Sequence, residues 1–176
     1  MTYKEHLTAA MTQLAQDERV CFVGYNVKYG RAAGTLKDVN ESQLMEMPLA
    51  ENLMMGAAIG MSLDGRIPVV YFERMDFVLC ALDSIVNHLA KLKELSEGIH
   101  HPACIIRCVV GNSVSPLFTG ATHTQNFSKA MREMVSFPVK ELHVKGQIAT
   151  EYAAAYRSAK AGISTMLIDM KDSWDT

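Results

Sequence analysis

The stretch PLAENLMMGAAIGMSLDGRIPVVYF, residues 48–72, joins one helix to one strand through a single turn, and its reading decides the fold. Pro48 and Glu51 mark the helix start, since proline suits a first turn and an acid there complements the positive end of the helix dipole. LDGR, Leu63 to Arg66, reads as the turn that ends the helix. The run RIPVVYF is β-branched and aromatic, which suits a strand.

The same alternation runs outward in both directions. Residues 3–16, YKEHLTAAMTQLAQ, carry apolar positions at helical spacing and lead into the β-rich run RVCFVGY. A polar stretch, KYGRAAGTLKDVNESQ, separates that run from the helix opened by Glu51. Beyond residue 72, FVLCALDSIVNHLAKLKEL predicts a third helix with an apolar stripe of Leu79, Leu82, Val86, Leu89 and Leu92. ACIIRCVVG predicts a strand whose near-continuous apolar character suits cover on both faces. NFSKAMREMVS with VKELHV, and GQIATEYAAAYRSAKAG with STMLIDM, close the series. Five strands alternating with five helices predict an α/β fold, a doubly wound and mainly parallel sheet with helices on both faces. Reactive loops in such folds lie at the carboxyl ends of strands, here after Tyr25, Phe72 and Gly111.

Composition narrows the function classes. The chain has 176 residues, 49% hydrophobic and 20% charged, enough for one globular domain with a sizeable core. Its formal net charge is -2, with lysines and arginines scattered, so neither nucleic acid nor an anionic membrane surface is an expected partner. Asp64, Glu73, Asp83 and Arg107 interrupt the longest apolar runs, and MTYKEHLTAAM lacks the apolar core of a signal peptide. A cytoplasmic location and four reduced cysteines are the expectation. His100, His101, Cys104 and Cys108 lack the spacing of a zinc site and read as core and turn residues. Met54, Met55 and Met61 read as adaptable packing.

Glu51 has two readings from the residues alone. It is either a first-turn acid set against the helix dipole or a carboxylate with chemistry to perform. Gly56 and Gly60 sharpen the choice, because two glycines cost a helix roughly 1 kcal/mol each relative to alanine, and close approach of a neighbouring helix would account for them.

These residues carry a resemblance. Glu51, Gly56 and Gly60, spaced as Glu, four residues, Gly, three residues, Gly, resemble the pyrimidine-binding domain of thiamine-diphosphate enzymes, in particular transketolase and the β subunit of the 2-oxo acid dehydrogenase decarboxylating component. The likeness runs from DERVCFVGYNVKYG to TMLIDM. It implies that Glu51 hydrogen-bonds the ring nitrogen of the cofactor's aminopyrimidine, favouring the imino tautomer that deprotonates the thiazolium carbon. Burial against an apolar ring would favour the protonated carboxyl near neutral pH, against the helix dipole. The resemblance also implies that Phe77 packs against the pyrimidine, that Leu49, Gly56 and Gly60 belong to the cofactor site, and that His123 in GATHTQNF matches a His-Ser-Gln loop facing the substrate. From the residues alone Phe77 also reads as a core aromatic, and His123 as a surface histidine.

Departures from the family shape the expected partners. Nothing here matches the Gly-Asp-Gly and later Asn that hold magnesium and diphosphate. The expectation is one pyrimidine-binding domain over residues 1–176, a short stand-alone form, with the diphosphate-binding and C-terminal transketolase-type domains absent and Mg2+ held by an α-type subunit in a heterotetramer, or a homodimer when alone. Tyr25 and Asn26 replace an acidic pair common after the first strand, and Cys80 stands where a glutamine is frequent. The implied activity is cleavage of a 2-oxo acid or ketose with transfer of the acyl or two-carbon unit, transketolase- or carboligase-like. The alternatives are a dehydrogenase β-type subunit or a non-catalytic scaffold that keeps the fold.

Overall fold

In the computed structural model, which describes residues 1–116 and 120–174, the apolar runs become strands of one sheet. Val20–Gly24 (β1), Leu44–Glu46 (β2), Ile67–Phe72 (β3), Ile105–Val110 (β4), Val139–Leu142 (β5) and Thr165–Met170 (β6) pair in the order β2-β1-β3-β4-β6-β5. Every pairing is parallel. Helices Tyr3–Leu14 (α1) and Lys145–Lys160 (α5) cover one face, and Glu51–Leu63 (α2) and Ser128–Met134 (α4) cover the other. Alternation along the strands explains why both faces bury apolar side chains: Val69, Tyr71, Ile105, Val109 and Leu167 face α1 and α5, whereas Val70, Phe72, Ile106, Cys108 and Ile168 face α2.

The sheet has one strand more than the sequence predicts. β2 lies at the edge and spans only three residues, paired on one side, with Leu44 its one buried side chain. A strand that short has no room for a period, so the reading passed over it. The predicted helix over 77–95 is also corrected. Its chain is a 3-10 helix at Met75–Ala81, a π-helix at Asp83–Leu89 and a short α-helix at Leu92–Leu95 (α3). Ala90 N–H donates to the Ile85 carbonyl at 3.0 Å, a five-residue step that marks the wide turn. The change of pitch moves the buried line to Val78, Ala81, Ile85 and Leu89, with Leu82, Val86 and Leu92 partly buried, and leaves Leu79 45% exposed. The turn after α2 is as expected: Gly65 adopts φ +86, and Arg66 N–H closes on the Met61 carbonyl at 3.0 Å.

One polar cluster interrupts the α1–α5 side of the core. Arg107 on β4 is 1% exposed, and its Nε donates to Asp169 of β6 at 2.7 Å. Its Nη1 donates to the Thr35 hydroxyl at 2.7 Å, and the guanidinium lies 5.2 Å from the Tyr71 ring centre. Tyr152 of α5 donates to the other Asp169 oxygen at 3.2 Å. Burial pushes the Asp169 carboxyl up from its ordinary range, with Arg107 opposing. Thr35 reaches this cluster because Arg31, Ala32 and Ala33 adopt φ near +50 and Gly34 φ +84, a left-handed turn costing about 1–2 kcal/mol per non-glycine residue.

The four cysteines form no disulfide. Burial pushes the Cys104 and Cys108 thiols well above the ordinary range and Cys21 to about 11. His100 and His101 are exposed, and His101 Nε2 lies 2.6 Å from the Gly98 carbonyl. Among the described residues no helix is long and apolar enough to cross a membrane.

Removing one half of a buried ion pair strands the other charge. Arg107→Met is expected to lower unfolding free energy by about 3–5 kcal/mol in urea denaturation, and Arg107→Met with Asp169→Leu to recover most of that loss. A single substitution without effect would show that the pair is solvated.

Candidate active site

Three loops meet where strands β1, β3 and β4 end. The backbone N–H groups of Asn26 and Lys28 donate to the Glu46 carboxylate at 2.6 and 2.7 Å, which turns the chain sharply after β1 and brings Tyr25 inward. The end of β3 brings Tyr71, Phe72, Glu73 and Arg74 to the same place. α2 opens there with Glu51, its first residue, half-buried and preceded by Ala50 rather than by a capping side chain. The cleft between them holds about 220 Å3 and is also lined by Leu49, Met54, Phe77 and His123. A larger groove of about 960 Å3 lies between α1 and α5, beside Asp17, Glu18 and Arg19 at the amino end of β1. Among the described residues, the smaller cleft is where the carboxyl ends of the strands and the candidate side chains come together.

His123 is held from three sides. The first is steric: a Cβ at Gly111, just past β4, would overlap the His123 carbonyl, so the loop can close on the strand end only over glycine. The second is polar. Asp76, 6% exposed, accepts from the Gln125 backbone at 3.2 Å and the Gln125 side chain at 3.0 Å. Asp76 adjoins Phe77, so the clamp also brings the rings together: His123 meets Phe77 edge to face, centroids 5.3 Å apart at 81°. The third is Glu141 on β5, which accepts from Ser128 and from Asn126 at 3.0 Å, with His143 Nε2 at 2.8 Å and Arg132 at 3.9 Å. The Ser128 hydroxyl above all, with Asn126, His143 and Arg132, holds the Glu141 carboxyl at about 2, while burial opposes them.

Of the residues singled out from sequence, Glu51, Phe77, His123 and Leu49 line the cleft, and Leu49 is 66% exposed. Gly56 and Gly60 do not. They lie on the exposed side of α2, where a Cβ at Gly56 would come no nearer than 4.0 Å to Ser84 and one at Gly60 would meet nothing. The close approach expected of a neighbouring helix is therefore not made by the described residues of this chain. Cys80 is exposed and lies outside the cleft. Sequence reasoning missed Met54, Tyr71, Glu73 and Arg74 as lining residues. Position after a predicted strand was a usable signal for the last two.

Residues 1–111 match the family model described as transketolase, pyrimidine binding domain. The chain belongs to this family. Among relatives, the mitochondrial pyruvate dehydrogenase E1 component subunit beta of Saccharomyces cerevisiae is 33% identical over 134 residues, covering 73% of this chain and 36% of the relative. The 2-oxoisovalerate dehydrogenase subunit beta of Bacillus subtilis is 27% identical over 120 residues, covering 65% and 37%. The chain thus spans little more than a third of the length of these curated relatives. A solved split gene transketolase, an inactive beta4 tetramer, superposes with a TM-score of 0.74 at 16% identity, over 97% of this pyrimidine-binding chain and 51% of the other. That likeness concerns the fold.

Glu141 gives the His123 loop a pH dependence. A carboxyl held at about 2 when folded stabilises fully above its unfolded value of 4.5, and that contribution is lost as pH falls from about 4.5 toward about 2. Melting temperatures of the wild type and Glu141→Gln are expected to differ most above pH 4.5 and to converge toward pH 2. A constant gap across that window would remove Glu141 as the titrating anchor.

Proposed function

We propose that this chain is the pyrimidine-binding subunit of a two-chain thiamine-diphosphate enzyme. The reaction is cleavage of a 2-oxo acid or ketose beside its carbonyl, with transfer of the acyl or two-carbon unit to an acceptor. The observation that carries this reading is one cleft at the strand ends that gathers Glu51, Phe77 and His123. A half-buried carboxylate, an aromatic ring and apolar walls from Met54 and Phe72 fit an aminopyrimidine. Mg2+ and the diphosphate are assigned to an α-type subunit, as the resemblance to the family implies.

Bound thiamine diphosphate would supply an electron-accepting thiazolium for cleavage next to a carbonyl. This chain's residues prepare that chemistry. Glu51 would share a proton with the pyrimidine ring nitrogen, and its placement at the start of α2 fixes the carboxyl against a rigid element. Phe77 would pack against the ring and, with Met54 and Phe72, keep water away. His123 carries a proton to or from the substrate oxygen from a loop held on three sides.

The partner reading draws on the outer face of α2. Gly56 and Gly60 lie there with Leu53, 54% exposed, and Leu63, 46% exposed, an apolar strip that a partner helix would cover. A beta4 tetramer that is inactive, as the solved split gene transketolase is described, is consistent with β-type chains that assemble yet need another subunit. A β-type subunit of a 2-oxo acid dehydrogenase decarboxylating component is the second reading, favoured by the identity to the yeast subunit beta. A non-catalytic scaffold would have no use for Glu51, Phe77 and His123 in one cleft.

Calorimetry with magnesium and thiamine diphosphate is the direct test: weak binding is expected for the chain alone and tight binding once the diphosphate-binding subunit is added. Tight, magnesium-dependent binding by the single chain would remove the two-chain reading. In the assembled enzyme Glu51→Gln should slow exchange of the thiazolium proton at least about a hundredfold with the fold intact, the scale of general acid-base catalysis. His123→Ala should depress turnover more than cofactor affinity, and the reverse pattern would refute its assigned role.

A further inference from the structure

Arg74 is the only arginine or lysine among the described residues lining the cleft, and it forms no ion pair with Glu51 or Glu73, the acids that share the lining. Its Nη1 donates to the carbonyl of its neighbour Glu73 at 2.6 Å, a neutral acceptor. Its Nε is buried and has no hydrogen-bond partner among the described residues. No described carboxylate pairs with it. Arg107 and Arg132, by contrast, each face an acid, Asp169 and Glu141. A half-buried guanidinium with unused donors is costly to the fold, and the geometry of the group says what would satisfy it: a planar fork matches the oxygens of a carboxylate or phosphate.

Position adds direction to the chemistry. Arg74 follows the end of β3 and directly precedes the segment that carries Asp76 and Phe77, on a wall of the cleft shared with His123. The remaining charged side chains of the lining, Glu51 and Glu73, are acids that repel an anion, so Arg74 is the one point in the cleft at which an anionic group would be held.

We propose that Arg74 is a specificity-determining residue that binds the anionic group of the substrate, a carboxylate or a phosphate ester, and so sets the orientation of its carbonyl toward His123. The proposal rests on the reading of this cleft as the active site. It selects anionic donors over neutral ones of the same size.

The test uses the full chain and three probes: pyruvate, methyl phosphate and the neutral hydroxyacetone, each titrated while the arginine Nε–H resonances are recorded. Pyruvate or methyl phosphate is expected to shift the Arg74 resonance to saturation, and hydroxyacetone is not. Whichever anion binds more tightly identifies the source, carboxylate or phosphate. Arg74→Gln should weaken anion binding at least about tenfold, the scale of a charge-assisted hydrogen bond, and Arg74→Lys should keep part of it. Unchanged Tyr152 and Leu167 amide positions, in the core on the far face of the sheet, check that the variants are folded. Equal binding of all three probes, or anion binding indifferent to both substitutions, overturns the proposal. Turnover separates it from the reading beneath it. An active assembled enzyme whose preference for anionic donors survives Arg74→Gln overturns this proposal alone, whereas Arg74-dependent anion binding by a chain inactive with its diphosphate-binding partner overturns the catalytic reading alone.

Discussion

The contact between Arg107 and Asp169 is the constraint around which the sheet is organised. Parallel strands rich in valine and isoleucine on both faces could pair in more than one register with little loss of burial, and a slip of one residue exchanges the two faces. A buried guanidinium removes that freedom. Slipped by one residue, Arg107 would enter the apolar layer beneath α2, among Ile106, Cys108 and Ile168, with no acid to meet it. Against an apolar replacement of both partners such a pair is worth little net stability, and its consequence here is that only the observed register brings the two charges together. Through Tyr152 and Thr35 it extends the same demand to α5 and to the loop after β1.

Register matters to the site because the cleft is made of strand ends. β1, β3 and β4 must finish level for Tyr25, Glu73 and the loop carrying His123 to face one another. The candidate side chains are then fixed locally and by different means. Glu51 is fixed by the start of a helix, Phe77 by a 3-10 turn, and His123 by a glycine, an aspartate and a glutamate that never reach the cleft's centre. This division explains how a site on loops can be ordered: each loop is tied to a strand or helix within a few residues of the group it presents.

Much of this was legible in the sequence, for identifiable reasons. RIPVVYF and ACIIRCVVG declared themselves because strands covered on both faces need continuous apolar runs, and Glu51 because helix starts leave marks. β2 escaped because three residues at an edge leave no pattern. The 3-10 and π turns escaped because their apolar residues still fit an α-helical stripe closely enough to mislead, and only Leu79 betrays the difference by facing water. Arg107 was visible as an interruption, but its partner lies 62 residues away, and in the left-handed turn that supplies Thr35 only Gly34 announces the conformation that Arg31, Ala32 and Ala33 share. Gly56 and Gly60 were read as signs of close packing, and in the described residues they face outward.

The wide turn at Asp83–Leu89 has a consequence for how this domain can vary. A π-turn holds one residue more than an α-turn in the same length of axis, so it acts as a phase adjuster between the core-facing Ile85 and Leu89 and the segment before them. One residue deleted within the wide turn would close it to an α-turn with its flanks still in phase, whereas one residue gained or lost between it and Phe77 would rotate everything upstream by about 100° relative to Leu89. Phe77 would then swing away from His123 although no residue of the cleft had changed. The aim of the aromatic ring is therefore set by a count of residues as well as by their identity.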